Sequence, residues 1–165
     1  MIVIPMGVSG SGKTTVGRLL ATDLGWPFHD ADDFHPPENV AKMRAGVPLA
    51  DADRAVWLDR LRSLIEELIA ARRSAVLACS ALKQAYRDRL AVDPAAVRFV
   101  YLRGDYELIH RRLQERTGHY MPAALLRSQF ETLEEPGTDV LVVDVAPAPA
   151  EIVATIEHAL GLDAR

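Results

Sequence analysis

A glycine-rich segment close to the start of the chain constrains the fold more than any other feature. Residues 6–15 read MGVSGSGKTT, follow the apolar run MIVIP, and precede apolar positions at Val16, Leu19, Leu20 and Leu24. A short apolar run predicts a buried strand, and apolar residues at this spacing predict an amphipathic helix. The segment matches the pattern G-x-x-x-x-G-K-[ST] in the strand–loop–helix context that this pattern requires. We therefore predict an anion-binding loop that joins the first strand to the first helix.

The residue types in this loop predict that it binds a nucleoside triphosphate together with Mg²⁺. Glycine lets successive backbone N–H groups point inward around a phosphate, and the N-terminus of the next helix adds partial positive charge there. Lys13 is expected to reach the β- and γ-phosphates, and the Thr14 hydroxyl is expected to bind Mg²⁺. The predicted nucleotide-binding residues are Gly7, Val8, Ser9, Gly10, Ser11, Gly12, Lys13, Thr14 and Thr15.

The rest of the chain alternates short apolar runs with longer amphipathic segments. This alternation is typical of a parallel sheet that helices cover on both faces. Further strands are predicted at 27–30, 75–79, 98–102 and 139–145, and further helices near 51–69, 83–91, 105–116, 122–133 and 148–160. We expect residues 1–165 to form one α/β domain, with a lid over about 112–121, where the polar segment RTGHYM interrupts a helical region.

Composition and charge argue against several classes of function. The 165 residues carry a formal net charge of −4, whereas a nucleic-acid-binding domain normally presents a basic surface. No apolar run approaches the roughly 18 residues of a membrane span, and the N-terminus lacks the features of a signal peptide. The single cysteine, Cys79, permits no disulfide within the chain and suits a reducing compartment. We expect a cytoplasmic protein without nucleic-acid or membrane partners.

Three aspartates follow the second predicted strand, in the sequence HDADDF. Asp30, Asp32 and Asp33 come at the carboxyl edge of a strand that is expected beside the first, where open α/β sheets bind ligands. One such carboxylate can hold Mg²⁺, and another can accept the proton of an attacking hydroxyl. We assign these roles to Asp30 and Asp32, because residues two apart on an extended segment share a face. For Asp33 a helix-capping role is equally open.

Two later segments supply basic residues to the predicted site. Lys83 and Arg87 are four apart in CSALKQAYRDRL, so we predict that they share one helix face and pair with a carboxylate of the substrate. A solvated helix face without function is the alternative for this pair. In the segment HRRLQERTGHYM, Arg112 and Arg116 have the same spacing. An arginine carried by a closing lid can stack on the base or neutralise the transferred phosphoryl group.

Five stretches, taken together and in order, resemble the bacterial-type gluconokinases. They are MGVSGSGKT, DADDFHPPENVAKMRAGVPLADADRAVWLDRL, CSALKQAYRDRL, YLRGDYELIHRRLQERTGHYM and QFETLEEP. The resemblance runs from about Met6 to Asp144, and its later motifs are far more specific than the glycine-rich loop. It implies an adenylate-kinase-like P-loop fold with three α/β/α layers, a five-stranded parallel sheet of order 2-3-1-4-5 and a lid. It also implies a cytoplasmic homodimer that transfers the γ-phosphoryl group of ATP to the 6-hydroxyl of D-gluconate.

The resemblance also implies roles for individual residues. By similarity to gluconokinases and shikimate kinases, Asp30 is the magnesium-associated aspartate, Asp32 contacts the substrate hydroxyl, and two arginines belong to the lid. We assign catalysis to Lys13, Asp32 and Arg116, and metal binding to Thr14 and Asp30. Arg112 is added to the nucleotide-binding residues. Gluconate binding is assigned to Asp32, His35, Arg54, Lys83 and Arg87, of which the last three are candidates to hold the substrate carboxylate in a clamp. Two alternatives stay open: a kinase of the same fold for shikimate or another sugar acid, and a nucleotide-binding regulator without catalysis.

Overall fold

Five strands form one parallel sheet in the computed structural model, which describes residues 1–116 and 123–162. The strands are β1 (Ile2–Met6), β2 (Phe28–Asp30), β3 (Ala75–Ala78), β4 (Val97–Arg103) and β5 (Leu141–Asp144). Their order across the sheet is β2-β3-β1-β4-β5, and each neighbouring pair is parallel. This order confirms the α/β class and the 2-3-1-4-5 sheet expected from the sequence.

Helices cover both faces of this sheet. They are α1 (Lys13–Leu24), α2 (Pro37–Arg44), α3 (Asp51–Ala70), α4 (Gln84–Leu90), α5 (Tyr106–Glu115), α6 (Ala123–Thr132) and α7 (Pro149–Leu160). Side chains of β1 alternate between two cores, because successive residues of a strand point to opposite faces. Ile4 and Met6 enter the core shared with α3, whereas Val3 enters the core shared with α1 and α7. No helix within residues 1–116 and 123–162 has the length and apolar character needed to cross a membrane.

The acidic segment after β2 differs from its predicted conformation. Residues Ala31–Phe34 form a 3₁₀ turn rather than an extension of the strand. The Asp30 carboxylate caps this turn, because its Oδ1 accepts a hydrogen bond of 3.0 Å from the backbone N–H of Asp32. The prediction that Asp30 and Asp32 share one face of an extended segment is therefore wrong, although both residues line the same cleft.

The predicted lid falls only in part on the described residues. Arg112 lies in the last turn of α5, and Arg116 directly follows that helix. Residues 117–121 of the predicted lid lie outside the part of the chain that the structure describes. The helix predicted beyond the lid is present as α6, which packs against α5.

Candidate active site

The loop between β1 and α1 lies at the carboxyl edge of the sheet, as its motif predicts. Gly7, Gly10 and Gly12 have φ angles of 144°, 80° and 96°, which residues with side chains rarely adopt. A Cβ atom on Gly10 would also lie only 2.6 Å from the side chain of Leu113 in α5. Glycine at these positions therefore lets the loop curve tightly while it packs against α5.

A cleft with two adjoining chambers opens over this loop. The larger chamber, of about 830 Å³, is lined by Lys13, Thr14, Asp30, Asp32, Ser80 and Gln129 among others. The smaller chamber, of about 300 Å³, lies between the loop, Arg112 and residues 146–149, which lead into α7. Gly10, Gly12 and Arg116 line both chambers, so the glycine-rich loop lies between them. The larger chamber is thus the acidic end of the cleft, and the smaller chamber is its narrower end. The predicted phosphate site at the glycine-rich loop lies between them.

Lys13 lies in the larger chamber between a backbone carbonyl and two carboxylates. Its Nζ donates a hydrogen bond of 2.9 Å to the carbonyl oxygen of Val8. Burial lowers the pKa of Lys13, and the negative charges of Asp32 and Asp30 oppose this shift. The ammonium group is therefore poorly solvated, which strengthens its interaction with any phosphate that enters the chamber.

Thr14 and Asp30 place two oxygen atoms side by side at the start of α1 and the end of β2. The Thr14 hydroxyl donates to Asp30 Oδ2 over 3.3 Å, and both residues line the larger chamber. Hydroxyl and carboxylate oxygens are the ligand types that Mg²⁺ prefers. The donor set at this position therefore fits magnesium.

Asp32 has the electrostatic environment of a proton acceptor. Burial raises the pKa of its carboxyl group, and the nearby charge of Asp30 raises it further. The charges of His35 and Lys13 oppose these effects. A carboxylate whose pKa is raised is a stronger base than an ordinary aspartate, which suits it to take a proton from a hydroxyl group.

Two cations lie beyond this acidic end, close to the start of α3. Arg54 Nη1 lies 3.9 Å and Lys83 Nζ lies 3.8 Å from the same oxygen, Oδ1 of Asp51. The Asp51 side chain is 82% exposed, so it holds neither cation firmly. The positive charge of Arg54 also lowers the pKa of His35, which places this pair close to the residues around Asp32. Two cations that converge on one carboxylate oxygen can hold the carboxylate of a ligand.

Comparison with known proteins identifies the family to which this chain belongs. The family model described as shikimate kinase matches residues 9–140. A gluconokinase of Gluconobacter oxydans is 50% identical over 144 residues, which cover 87% of this chain and 81% of that protein. A probable gluconokinase of Mus musculus is 45% identical over an alignment of 178 positions, which covers 96% of this chain and 97% of that protein. The chain belongs to the gluconokinase family.

A solved structure supports the same membership in the gluconokinase family. The gluconokinase of Sinorhizobium meliloti 1021 is 42% identical, with a TM-score of 0.82, and the match covers 99% of this chain and 97% of that chain. Membership in the gluconokinase family confirms the resemblance drawn from the sequence motifs. It also makes the chain a P-loop kinase that phosphorylates an alcohol group.

The position of Arg87 in this gluconokinase-family chain differs from the prediction. Arg87 is buried, and Nη1 donates to the carbonyl oxygens of Ala81 and Leu82 over 2.9 and 3.1 Å. Its Nη2 donates to the carbonyl oxygen of Glu134 over 2.7 Å. Lys83 precedes α4 as its cap, so the prediction that Lys83 and Arg87 share one basic helix face is wrong. Arg87 joins the segment after β3 to the segment after α6, so we propose a structural role for it instead of a contact with the substrate.

Arg112 and Arg116 of the gluconokinase-family cleft both line its chambers. Arg112 Nη1 donates to the carbonyl oxygen of Val145 over 2.6 Å, and Nη2 donates to that of Ala146 over 3.1 Å. These bonds hold the side chain in the wall of the smaller chamber. Arg116 lines both chambers from the end of α5, so its guanidinium group can approach a phosphate at the loop.

Gln129 is a residue of the cleft that the sequence analysis did not assign. Its Oε1 accepts a hydrogen bond of 2.6 Å from the backbone N–H of Ser9, in the glycine-rich loop. The two residues are 120 positions apart, so no local pattern connects them. The only sequence signal was the QF pair of the family motif QFETLEEP, which does not by itself indicate a contact with the loop. Gln129 joins α6, the helix after the predicted lid, to the phosphate-binding loop.

Proposed function

We propose that this chain transfers the γ-phosphoryl group of ATP to the 6-hydroxyl of D-gluconate, giving 6-phospho-D-gluconate and ADP. One observation carries the proposal. The larger chamber holds Asp32, a carboxylate with a raised pKa, close to Lys13. Beyond it, the cations Arg54 and Lys83 converge on a single carboxylate oxygen of Asp51. This arrangement suits an acceptor with a reacting hydroxyl at one end and a carboxylate at the other.

The nucleotide would lie across the glycine-rich loop. Its base would occupy the smaller chamber between Arg112 and residues 146–149, and its phosphates would lie over residues 7–15. Thr14 and Asp30 would hold Mg²⁺, which neutralises negative charge on the phosphates when it is bound. Lys13 would exchange its bond to the Val8 carbonyl for the β- and γ-phosphates.

The chain's own residues would carry out the transfer as follows. Asp32 accepts the proton of the 6-hydroxyl while the hydroxyl oxygen forms a bond to the γ-phosphorus. The bond between the γ-phosphorus and the oxygen that bridges it to the β-phosphorus breaks, and ADP leaves with that oxygen. Lys13 and Arg116 stabilise the negative charge of the transferred group, because both line the chamber in which that charge develops.

Recognition of the acceptor would depend on its far end. We assign the carboxylate of gluconate to Lys83 and Arg54, whose present partner Asp51 is exposed and weakly held. His35 lies close to Asp32 and Arg54, and it would contact a hydroxyl group of the acceptor between these two ends. The substrate would thus be held at both ends, which aims the 6-hydroxyl at the γ-phosphate.

A coupled assay of ADP formation tests the proposal against its alternatives. The wild-type chain is given ATP and Mg²⁺ alone, then with D-gluconate, and then with shikimate. We expect rapid ADP formation with gluconate only, and phosphorus on the terminal carbon of the product. Equal or faster turnover with shikimate would make the chain a shikimate kinase, and nucleotide binding without turnover on either acceptor would make it a binding protein.

Further proposals rest on the composition of the sequence and on the family resemblance. We infer that residues 1–165 act as one kinase domain, that the chain forms a homodimer in the cytoplasm, and that it has no nucleic-acid or membrane partner. The lid over about 112–121 also stays a prediction. Light scattering on the purified chain measures the mass in solution, which should be twice the chain mass of 18.1 kDa.

A further inference from the structure

A buried asparagine, Asn39, contacts His35 and has no role in the function proposed above. Asn39 is 2% exposed in α2, and its Nδ2 donates a hydrogen bond of 2.9 Å to the carbonyl oxygen of Asp53. The same Nδ2 lies 3.3 Å from Nδ1 of His35. A backbone carbonyl can only accept, so the atom next to it must be the amide nitrogen rather than the amide oxygen. The contact with Asp53 therefore fixes the orientation of the Asn39 amide.

The fixed amide determines which nitrogen of His35 carries the proton. An amide NH₂ group only donates, so Nδ1 of His35 must accept and stay unprotonated. In a neutral imidazole the proton then lies on Nε2, at the opposite side of the ring. The His35 ring also stacks on Trp57, with ring centroids 4.6 Å apart and planes inclined by 11°. The stack fixes the plane of the ring, and the Asn39 contact fixes its tautomer.

The same surroundings disfavour the charged form of His35. Burial lowers the pKa of His35, an effect that the charge of Asp32 opposes and the charge of Arg54 reinforces. Protonation of Nδ1 would in addition direct its N–H at the Asn39 NH₂ group. A neutral imidazole suits this position, because its Nε2–H can donate a hydrogen bond to a hydroxyl oxygen. A charged imidazolium would instead form an ion pair with Asp32 and make that carboxylate a weaker base.

We propose that Asn39 is a positioning residue that holds His35 as the neutral Nε2–H tautomer, and that this N–H donates to a hydroxyl oxygen of the acceptor beside Asp32. The identity of the acceptor rests on the function proposed above, whereas the tautomer rests only on the geometry of Asn39 and His35. Trp57 supports the arrangement, because its Nε1 donates to the carbonyl oxygen of Ala31, at the start of the turn that carries Asp32, over 2.7 Å.

Nitrogen NMR of the histidine side chains tests the tautomer without any substrate. In the ligand-free wild-type protein we expect His35 to show a protonated Nε2 and an unprotonated Nδ1. In Asn39→Asp a carboxylate faces Nδ1, so we expect protonation of Nδ1 and a higher pKa for His35. A protonated Nδ1 with a bare Nε2 in the wild type would overturn the proposal, and so would an unchanged spectrum in Asn39→Asp. If this variant does not fold, the wild-type spectrum still decides.

Two substitutions of His35 test the donated hydrogen bond. Gln places an amide N–H close to the position of Nε2–H, whereas Asn places one close to that of Nδ1. We expect His35→Gln to change the KM for gluconate by less than about threefold, and His35→Asn to raise it about tenfold, with an unchanged Kd for ATP. His110→Gln is the matched control, because His110 stacks in the same way on Tyr106, with ring planes inclined by 11°.

The tests of the His35 hydrogen bond and tautomer can be distinguished from a failure of the proposed gluconokinase activity. Equal KM values for His35→Gln and His35→Asn would overturn the proposed hydrogen bond. Failure of the wild-type chain to phosphorylate gluconate would refute the function alone, because the NMR spectrum decides the tautomer independently of any acceptor. A change of KM in His110→Gln as large as that in His35→Asn would also overturn the assignment, since it would show an effect that is not specific to position 35.

Discussion

Replacement of Arg87 by methionine distinguishes the structural role of this side chain from the substrate-binding role that its spacing predicts. The buried guanidinium donates to three backbone carbonyls, those of Ala81, Leu82 and Glu134. Methionine keeps an apolar stem of similar length and donates to none of them. Each buried acceptor that is left unsatisfied lowers the free energy of unfolding by about 1–3 kcal/mol. Removal of the buried charge offsets part of this loss, because the desolvation penalty of the guanidinium group is also removed.

The net effect on stability is large enough to measure. Two lost buried acceptors and one lost partly buried acceptor, offset by the desolvation penalty of one buried cation, should lower the free energy of unfolding by about 2–4 kcal/mol. For a chain of 165 residues this corresponds to a fall in Tm of roughly 4–16 °C. The KM for gluconate, measured well below the Tm of the variant, should stay close to the wild-type value.

Thermal melts followed by circular dichroism, with steady-state kinetics, make the test. Arg89→Met is the matched control, because Arg89 lies in the same helix but is exposed, where it pairs with Asp59. An exposed pair contributes about 1 kcal/mol or less, so this variant should melt close to the wild type. An unchanged Tm for Arg87→Met together with a strongly raised KM for gluconate would refute the structural role and restore Arg87 as a substrate ligand.

Four further predictions concern three residues of the cleft. Lys13→Ala should abolish phosphoryl transfer in a protein that still melts cooperatively, because the charge at the β- and γ-phosphates is lost, and turnover near the wild-type rate would count against this role. Asp32→Asn should lower kcat by about 10²–10⁴-fold with little change in the Kd for ATP by calorimetry, and a collapse of ATP affinity instead would make Asp32 a metal ligand. Because the pKa of Asp32 is raised in the folded protein, ionisation of this carboxyl group destabilises the fold as the pH rises through that pKa. Asparagine cannot ionise, so Asp32→Asn should melt at a higher temperature than the wild type at pH 7. A lower melting temperature would contradict this. Gln129→Leu should accelerate amide exchange of Ser9 in the absence of nucleotide, since that N–H loses its acceptor, and unchanged exchange would mean that the contact with Gln129 does not protect it.

The strand–loop–helix unit around Lys13 was predictable from the sequence because its determinants are local. The apolar run of β1, the glycines at positive φ and the helical spacing of α1 are all contained in the first 24 residues. The order of the strands followed from the family resemblance rather than from periodicity. The three layers agree with that expectation, whereas α2 (Pro37–Arg44) was not among the predicted helices.

The errors concern contacts that local patterns do not encode. The spacing of Lys83 and Arg87 predicts a shared face only if both residues lie inside one helix, and α4 begins after Lys83. Arg87 turns inward because unpaired carbonyls of distant segments need a donor there. Asp30 folds the next residues into a 3₁₀ turn, which a period-two pattern cannot predict. The bond between Gln129 and Ser9 depends on the packing of α6, far along the chain.

The ratio of kcat/KM for D-gluconate to that for D-glucose tests the central claim most directly. Glucose offers a similar terminal hydroxyl but no carboxylate for Lys83 and Arg54, so it would leave both cations without their ligand. Sites that pair with a substrate group reject analogues that lack it by about 10⁴–10⁵-fold. We expect gluconate to be preferred by about 10⁴-fold or more in the wild-type chain. A preference of less than about tenfold would contradict the account, since it would mean that the acceptor carboxylate is not recognised.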